Sequence, residues 1–462
     1  MKNLLMDRHA LARWMAALLV VLTNTAPAAE LARSLTPGQQ DMAGPSLPMA
    51  LELGQAVEMA AKWHPSIRNA AGYLMESDEA IQVARAGYYP QLRAGLGSDW
   101  RNRALSGYDS RSVHQLTVSA SQMLYDFGKV SSDVDRAQAD REGSQARVLL
   151  AIDQLVQETA HAWIEVSRYE ALLELAKAQR SGVGSIADLA RERRAKGASP
   201  LSDELQAQAR EEAAFANLLE VTAQLERWRL QLRQLTGAPR LPVTEGLADT
   251  QLAGACDLVG GDAGSQSVPA VLIAQAQLRA AQADVENARA QSRPTLSVDG
   301  AVSRGLNADS RINRPYDASI SLNVTAPLYQ GGGNAARRRA SGHSLSAAEA
   351  ALEHVRLQAS QELTDARSRA KGYAGRRSVL DERTGSIEHT RDLYRQQYLD
   401  LGTRSLLDLL NAEQEFHGAR VESVNNMLDL QRMQVDCLAA AGGLRRAFRL
   451  DGHTLAGVEL TP

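Results

Sequence analysis

Aromatic residues are scarce in this chain: Phe, Trp and Tyr make up 4% of its 462 residues. A thick interior built on large rings is therefore disfavoured, and the abundant alanines point to helices packed at short range. An excess of one charge is also missing. Lys and Arg number 51 against 54 Asp and Glu, a formal net charge of -3, so no basic surplus marks a nucleic-acid partner. Cysteine is limited to Cys256 and Cys437. A disulfide-rich small scaffold is excluded, and whether these two pair is left open by their spacing alone. After the first residues no apolar run reaches the about 20 residues that a membrane-spanning helix needs. If such a chain crosses a membrane, it does so with β-strands. Catalytic motifs are lacking as well. The nine histidines form no HExxH pair, and His161, His354 and His417 stand singly in helical surroundings. Gly331-Gly332-Gly333 lacks the lysine and hydroxyl residue of a phosphate loop and fits a strand-to-helix turn. No enzyme, metal site or cofactor is expected.

What is present begins with an export signal. Lys2, Arg8 and Arg13 precede and flank an apolar run from Trp14 to Leu22, and Ala26-Pro27-Ala28 has the small-x-small form of a cleavage site. Residues 1–28 are thus expected to be a signal peptide and 29–50 an N-terminal extension. Their three bases and Asp7 leave with the peptide, so the mature net charge is about -5. Neither cysteine lies near the cleavage point, so no lipid attachment is expected there.

The remaining chain is duplicated. Pro65 and Pro269, Pro90 and Pro294, and Gly128 and Gly332 are each 204 apart; Gly197 and Gly402 are 205 apart. Ala84-Arg85-Ala86 returns as Ala288-Arg289-Ala290, and Leu124-Tyr125 as Leu328-Tyr329. Repeated landmarks in constant register indicate two copies of one structural unit. These copies span 51–237 and 263–443, joined by a Gly-, Asp- and Pro-bearing linker at 238–262 and followed by a tail at 444–462. Each copy predicts a helix from Pro65 or Pro269, two alternating segments, a very long helix, a turn at Gly197 or Gly402, and a return helix.

The long helices carry a coiled-coil pattern. Val148, Ile152, Leu155, Thr159, Ala162, Val166, Tyr169, Leu173 and Ala176 recur by fours and threes, as do Ala359, Leu363, Ala366, Ala370 and Tyr373. A helix over Lys129 to Lys196 would be about 100 Å long at 1.5 Å per residue, weakened locally by Gly182 and Gly184. The alternating segments read as strands. Leu116, Val118 and Ala120 interleave with Thr117, Ser119 and Ser121; Ile320, Leu322, Val324 and Ala326 interleave with Ser319, Ser321, Asn323 and Thr325. Leu296, Val298 and Val302, and more weakly Leu92, Ala94 and Leu96, do the same. Such strands suit either a sheet covered by its own helices or a tilted span through a bilayer, which takes about nine to eleven residues. If they span a bilayer, four per chain leave open edges that lipid does not tolerate. Two chains would give a filled eight-stranded barrel, whereas three give twelve strands and an open bore.

These residues resemble the TolC family of outer-membrane efflux and secretion channels. The resemblance rests on Ala84-Arg85-Ala86-Gly87-Tyr88-Tyr89-Pro90-Gln91-Leu92, Leu124-Tyr125-Asp126-Phe127-Gly128, Pro327-Leu328-Tyr329-Gln330-Gly331-Gly332 and Gly402-Thr403-Arg404-Ser405-Leu406-Leu407-Asp408, in duplicated order. It implies a mixed α and β fold: four transmembrane strands per chain in a trimeric twelve-stranded barrel, continued by a coiled-coil helical barrel. The linker and tail would girdle that barrel at its equator. It implies a homotrimer held in outer-membrane lipid of a Gram-negative bacterium and reaching into the periplasm. Its partners would be a periplasmic membrane-fusion adaptor and an inner-membrane ABC transporter or another efflux transporter, with no nucleic acid. By position, Asp408 resembles an acidic residue of the periplasmic constriction, with Asn411 where a second acid is common. Arg404 and Asp203 resemble a closed-state link. Gly197, Ala198, Gly402 and Thr403 resemble adaptor-contacting helix tips. Lys196 and Leu401 depart from the valine often found before the tip glycine. The stretch Tyr394 to Glu415 looks most like channels of type I protein secretion, with multidrug or metal efflux as the alternative. A periplasmic adaptor or a purely structural coiled coil would not require four alternating strands.

Overall fold

The computed structural model describes residues 50–100, 112–244, 252, 254–258, 268–306, 316–452, 454–455 and 458–459. The chain divides into Met1–Pro48 and Met49–Pro462, and all described residues belong to the second unit. The expected signal peptide and the extension up to residue 49 lie outside the described residues.

Each half of the unit begins with a proline in the first helical turn, where its missing N–H leaves no bond unmade. After a short strand β1 (Ala50–Leu51) and helix α1 (Leu53–Trp63), α2 runs over Pro65–Arg85. A 3-10 turn, Ala86–Tyr88, ends it ahead of Pro90. Strands β2 (Gln91–Trp100) and β3 (Ser112–Tyr125) follow, then α3 (Lys129–Ala195) and α4 (Leu201–Thr236). The linker region contributes β4 (Val243–Thr244) and α5 (Ala255–Leu258). The plan then returns as α6 (Pro269–Ala290), β5 (Thr295–Gly305), β6 (Asp317–Thr325), α7 (Gly333–Gln396) and α8 (Leu406–Ala440). The tail adds α9 (Leu444–Ala447) and a two-stranded β7 (Thr454–Leu455) and β8 (Val458–Glu459). Gly182 and Gly184 do not interrupt α3, whose 67 residues make a rod of about 100 Å.

The four long strands form one antiparallel sheet in the order β2-β3-β5-β6. Register puts Ala94 opposite Val118, Val118 opposite Val302, and Val302 opposite Ala318. Because side chains alternate, one face carries Leu92, Leu96, Leu116, Leu296, Val298, Ile320, Leu322 and Val324. None of the described helices covers it: Ile320 is 87% exposed and Leu96 74%. The other face carries Ser, Thr, Asn and Gln around Asp299. That carboxylate accepts hydrogen bonds from Ser121 Oγ, from Ser297 Oγ at 2.9 Å and from Asn323 Nδ2 at 2.6 Å. Exposed aromatics cluster at both ends of the sheet, Trp100 and Tyr316 beside the hairpin ends, and Tyr88, Tyr89, Tyr125 and Tyr329 where strands and helices meet. Ten residues of β2 rise about 33 Å, and the usual tilt of about 40° makes an apolar band of about 25 Å between the two girdles. None of the described helices is long and apolar enough to cross a membrane.

Helices continue the order of the strands, with α2, α3, α6 and α7 side by side. Farther from the sheet, α4 packs on α3, α8 on α7, and α3 on α8. The coiled-coil stripe is the seam: Val148, Ile152, Leu155, Thr159, Ala162 and Val166 are all buried. The main core lies at mid-length. There Trp163, fully buried, donates its indole N–H to the Leu51 carbonyl at 3.0 Å, and β1 pairs in parallel with β4. Glu170 takes the Thr244 amide at 3.2 Å and Arg229 at 2.9 Å, tying β4 to both α3 and α4. Cys256 and Cys437, undecided by their spacing, form a disulfide with Cα atoms 5.3 Å apart, which pins α5 to α8. Arg367 of α7 donates to the Cys256 carbonyl at 3.2 Å, so the linker bridges both helices of the second hairpin.

Two ion pairs are buried in this belt, Glu165 with Arg168 of α3 at 3.1 Å and a second that joins the tail to α3. Arg445 of α9 meets Asp153 of α3, each side chain 9% exposed. Desolvation outweighs the arginine and pushes the Asp153 carboxyl up to about 6, from an ordinary value of about 3.9. Its second oxygen, Oδ1, has no hydrogen-bond partner. A carboxyl raised in the folded state binds its proton more readily there than when unfolded, so its contribution to stability falls as pH rises between those two values. The melting temperature of the wild type relative to Asp153→Asn is therefore predicted to decline from pH 4.5 to pH 7.5. Calorimetric scans in detergent across that range check the sign, and a gap that is constant or widens in favour of the wild type contradicts it.

Candidate functional site

The chain reverses twice at the end of the molecule opposite the sheet. At the first reversal Gly197 has φ +72°, a left-handed backbone that residues with a Cβ rarely adopt. It places the Ala198 amide on the Arg193 carbonyl and the Gly197 amide on the Arg194 carbonyl, each at 2.8 Å, closing the α3 terminus. At the second, a π-helical turn over Gln397–Leu401 precedes Gly402 with φ +63°, and the Thr403 amide reaches back to the Gln397 carbonyl at 3.2 Å. Ala198, Gly402 and Thr403 are all exposed. All four tip residues therefore sit at the two reversals.

The acidic residues lie just beyond these turns. Asp203 is in the first turn of α4 and accepts a hydrogen bond from Ser199 Oγ at 2.7 Å. Asp408 closes a capping box on α8: its amide donates to Ser405 Oγ at 3.2 Å, and its Oδ2 takes the Ser405 hydroxyl at 2.9 Å and amide at 3.3 Å. An acid at this position also suits the positive end of the helix dipole. Asn411 follows one turn later and is exposed, its Oδ1 3.5 Å from Arg210. Arg210 donates better to Gln414, at 2.5 Å. Within one chain Arg404 and Asp203 are not brought together. Arg404 is 4.0 Å from Asp408 Oδ2, donates to Gln397 Oε1 at 3.1 Å and stacks on Tyr394 at 4.3 Å. Its own turn supplies these nearer partners.

Two contacts that the sequence did not reveal hold the reversals together. Val183, Ile186, Ala190, Tyr398, Leu406 and Leu409 form a separate buried cluster joining the ends of α3 and α8. Arg193 adds a hydrogen bond to the Tyr398 carbonyl at 3.2 Å and lies 4.5 Å from its ring centre, a cation–π arrangement. Farther along, Glu413 is buried between helices. It meets His417 Nε2 at 3.0 Å and Arg391 at 3.9 Å, while Arg391 stacks on Phe416 at 3.9 Å. The carboxylate fits because α3 has no side chain there: a Cβ on Gly182 would stand 2.3 Å from Glu413 Oε1. Gly182, which weakens the helix locally by composition, is thus a notch. A sequence signal for it existed only in hindsight, as a glycine inside a heptad run. Among the described residues no cluster of His, Cys, Asp or Glu could hold a metal ion. The arrangement can brace two hairpin ends and present polar and charged groups at a rim; it holds no nucleophile–base pair.

Comparison with known proteins fits this geometry. The family model described as "Outer membrane efflux protein" matches residues 56–238 and 265–443. Protein CyaE of Bordetella pertussis is 26% identical over 428 residues, covering 87% of this chain and 86% of CyaE. The proteases secretion protein PrtF of Dickeya chrysanthemi is 24% identical over 400 residues, covering 80% of this chain and 84% of PrtF. The crystal structure of the outer membrane protein VceC from Vibrio cholerae superposes with a TM-score of 0.73 at 19% identity, over 85% of this chain and 96% of VceC.

The Gly182 notch predicts a reversal of sign. Alone, Gly182→Ala displaces a buried carboxylate and costs about 1–3 kcal/mol. Combined with Glu413→Ala the notch is empty, and the same change gains about 0.5–1 kcal/mol from helix propensity. A double-mutant cycle read by thermal unfolding checks this. Equal effects of Gly182→Ala in both backgrounds contradict it.

Proposed function

We propose that this chain, which belongs to the outer membrane efflux protein family, is the exit duct of a type I protein secretion system. The chain is an outer-membrane channel protein that extends into the periplasm. In the proposed assembly three chains close one barrel of twelve strands, with the polar face around Asp299 lining the bore and the apolar face in lipid. The observation that carries this reading is a four-stranded sheet whose apolar face is uncovered and whose outer strands, β2 and β6, each have one neighbour among the described residues. Lipid does not tolerate such edges, and copies of the same sheet are the simplest closure. Export of proteins rather than small molecules is supported by the likeness to PrtF, a proteases secretion protein, and by the sequence from Tyr394 to Glu415.

The rest of the reading follows the chain. Residues 1–28 direct export and are removed. The linker at 238–262 and the tail at 444–462 belong to the equatorial belt. Asp408 and Asn411 face the threefold axis and form the constriction, where gathered negative charge selects against anions. The link of Arg404 to Asp203 joins neighbouring subunits, since inside one chain each has other partners. Tips at Gly197, Ala198, Gly402 and Thr403 receive a periplasmic adaptor coupled to an inner-membrane ABC transporter. Such links hold a two-state rim that a partner releases.

Two outcomes test this. In planar bilayers the wild type is predicted to conduct weakly, and Arg404→Ala or Asp408→Ala to raise conductance several-fold; unchanged conductance in both variants removes the gate assignment. Deletion of the gene is predicted to abolish export of a protein cargo while leaving drug sensitivity unchanged. Intact secretion with new drug or metal sensitivity would favour an efflux duct instead.

A further inference from the structure

One charged surface has no role in the duct. Where α6 gives way to β5 and the glycine turn opens α7, a groove of about 570 Å3 runs between the two helices, with Arg289, Arg293, Arg338 and Arg339 along it. Its other lining residues are apolar or small, and none is acidic. Arg289 is engaged by Glu286 at 2.5 Å. Arg293, Arg338 and Arg339 form no ion pair with any described residue. Three unneutralised guanidinium groups in one groove repel one another, and an anion would relieve that repulsion.

The contacts of α6 with α3 lie on the polar-face side, which leaves the groove to the side of the sheet's apolar face. On the opposite rim of the α3–α6 seam, Lys129 Nζ donates to Thr295 Oγ1 at 2.6 Å, and Thr295 belongs to the polar face. One and two turns on, Asp133 and Arg136 meet Asn287 at 2.7 Å and Asp284 at 2.9 Å. Arg289 lies two residues past Asn287, about 200° around the helix, and so on the outer rim. The level is also set. Arg293 stands two residues before β5, and Arg338 and Arg339 lie in the second turn of α7. The girdle of Tyr88, Tyr89, Tyr125 and Tyr329 stands at the same end of the sheet. Aromatic girdles of this kind sit at headgroup depth.

The duplication supplies an internal control. The positions 204 residues earlier are Arg85, Tyr89, Val134 and Asp135. The same helix–strand junction is therefore built without three of the four arginines, so folding does not require them. Because α6 and α7 are neighbours within one chain, closure by other subunits would not cover the groove.

We propose that this groove binds the phosphate of an anionic phospholipid headgroup in the periplasmic leaflet of the outer membrane. Arginine suits that task because its planar fork grips phosphate oxygens in pairs. The proposal rests on the membrane placement of the sheet and is independent of the cargo. Its test is native mass spectrometry of the detergent-purified protein incubated with equal amounts of phosphatidylglycerol and phosphatidylethanolamine. Wild type is expected to retain phosphatidylglycerol preferentially, and the preference to fall roughly fivefold for each groove arginine changed to Gln. Arg337→Gln, adjacent in sequence but outside the lining, is expected to leave it unchanged. Should the Arg293→Gln/Arg338→Gln/Arg339→Gln protein fail to assemble, Arg338→Gln and Arg339→Gln are measured singly. No preference in the wild type, or a preference that survives these changes, overturns the proposal. So does displacement of the lipid by an equal concentration of inorganic phosphate, which would make the groove a site for free phosphate.

Discussion

Backbone N–H and C=O groups cannot be left bare in hydrocarbon, and the whole structure turns on that constraint. The sheet ends at β2 and β6, and each presents one unpaired edge among the described residues. Its apolar face is bare as well. In water such an edge and face invite aggregation. In a bilayer the face is satisfied and only the edges remain, which is why the proposed closure by further copies is the economical solution. The polar face then needs no packed core, and the Asp299 cluster satisfies its own hydrogen bonds within the sheet.

The helices inherit this order. Two strand-to-helix junctions per chain feed α3 and α7 directly from β3 and β6, so the helix order α2, α3, α6, α7 repeats the strand order. A rod of about 100 Å needs lateral support along its length. That support is concentrated in two places, the belt around Trp163 and the cluster joining the tips. The disulfide between Cys256 and Cys437 ties the linker into the belt. Between belt and tip, Glu413, His417 and Arg391 form a polar knot whose removal in parts would leave buried charge. The tips are therefore the braced ends of the two long hairpins.

Much of this could be read in the sequence because periodicity is local. Alternation around Val118 and Ile320 marks strands, and the four-three spacing from Val148 to Ala176 marks the buried stripe of α3. Gly197 and Gly402 mark reversals because a left-handed φ is required there. What was not legible depends on distant side chains. Pairing of β3 with β5 joins the two halves of the duplication, and nothing in either strand alone names its neighbour. The disulfide depends on α5 reaching α8, which spacing across 181 residues cannot show. Arg404 illustrates the limit at the candidate site. Its position resembles a link to Asp203, yet within the chain Tyr394, Gln397 and Asp408 surround it. The Gly182 notch was invisible because a glycine is read as a weakness until the residue filling the space is known.

Closure of the sheet edges can be tested by cross-linking. Cysteines placed at Arg93 of β2 and Ser321 of β6, both on the polar face, stand on strands separated by β3 and β5 within one chain. With a short bifunctional reagent, the protein in membranes is predicted to give a covalent species of three subunits through bonds between β6 of one and β2 of the next. A product confined to single chains, or no product where each single-cysteine control is shown to be accessible, would contradict the closed barrel.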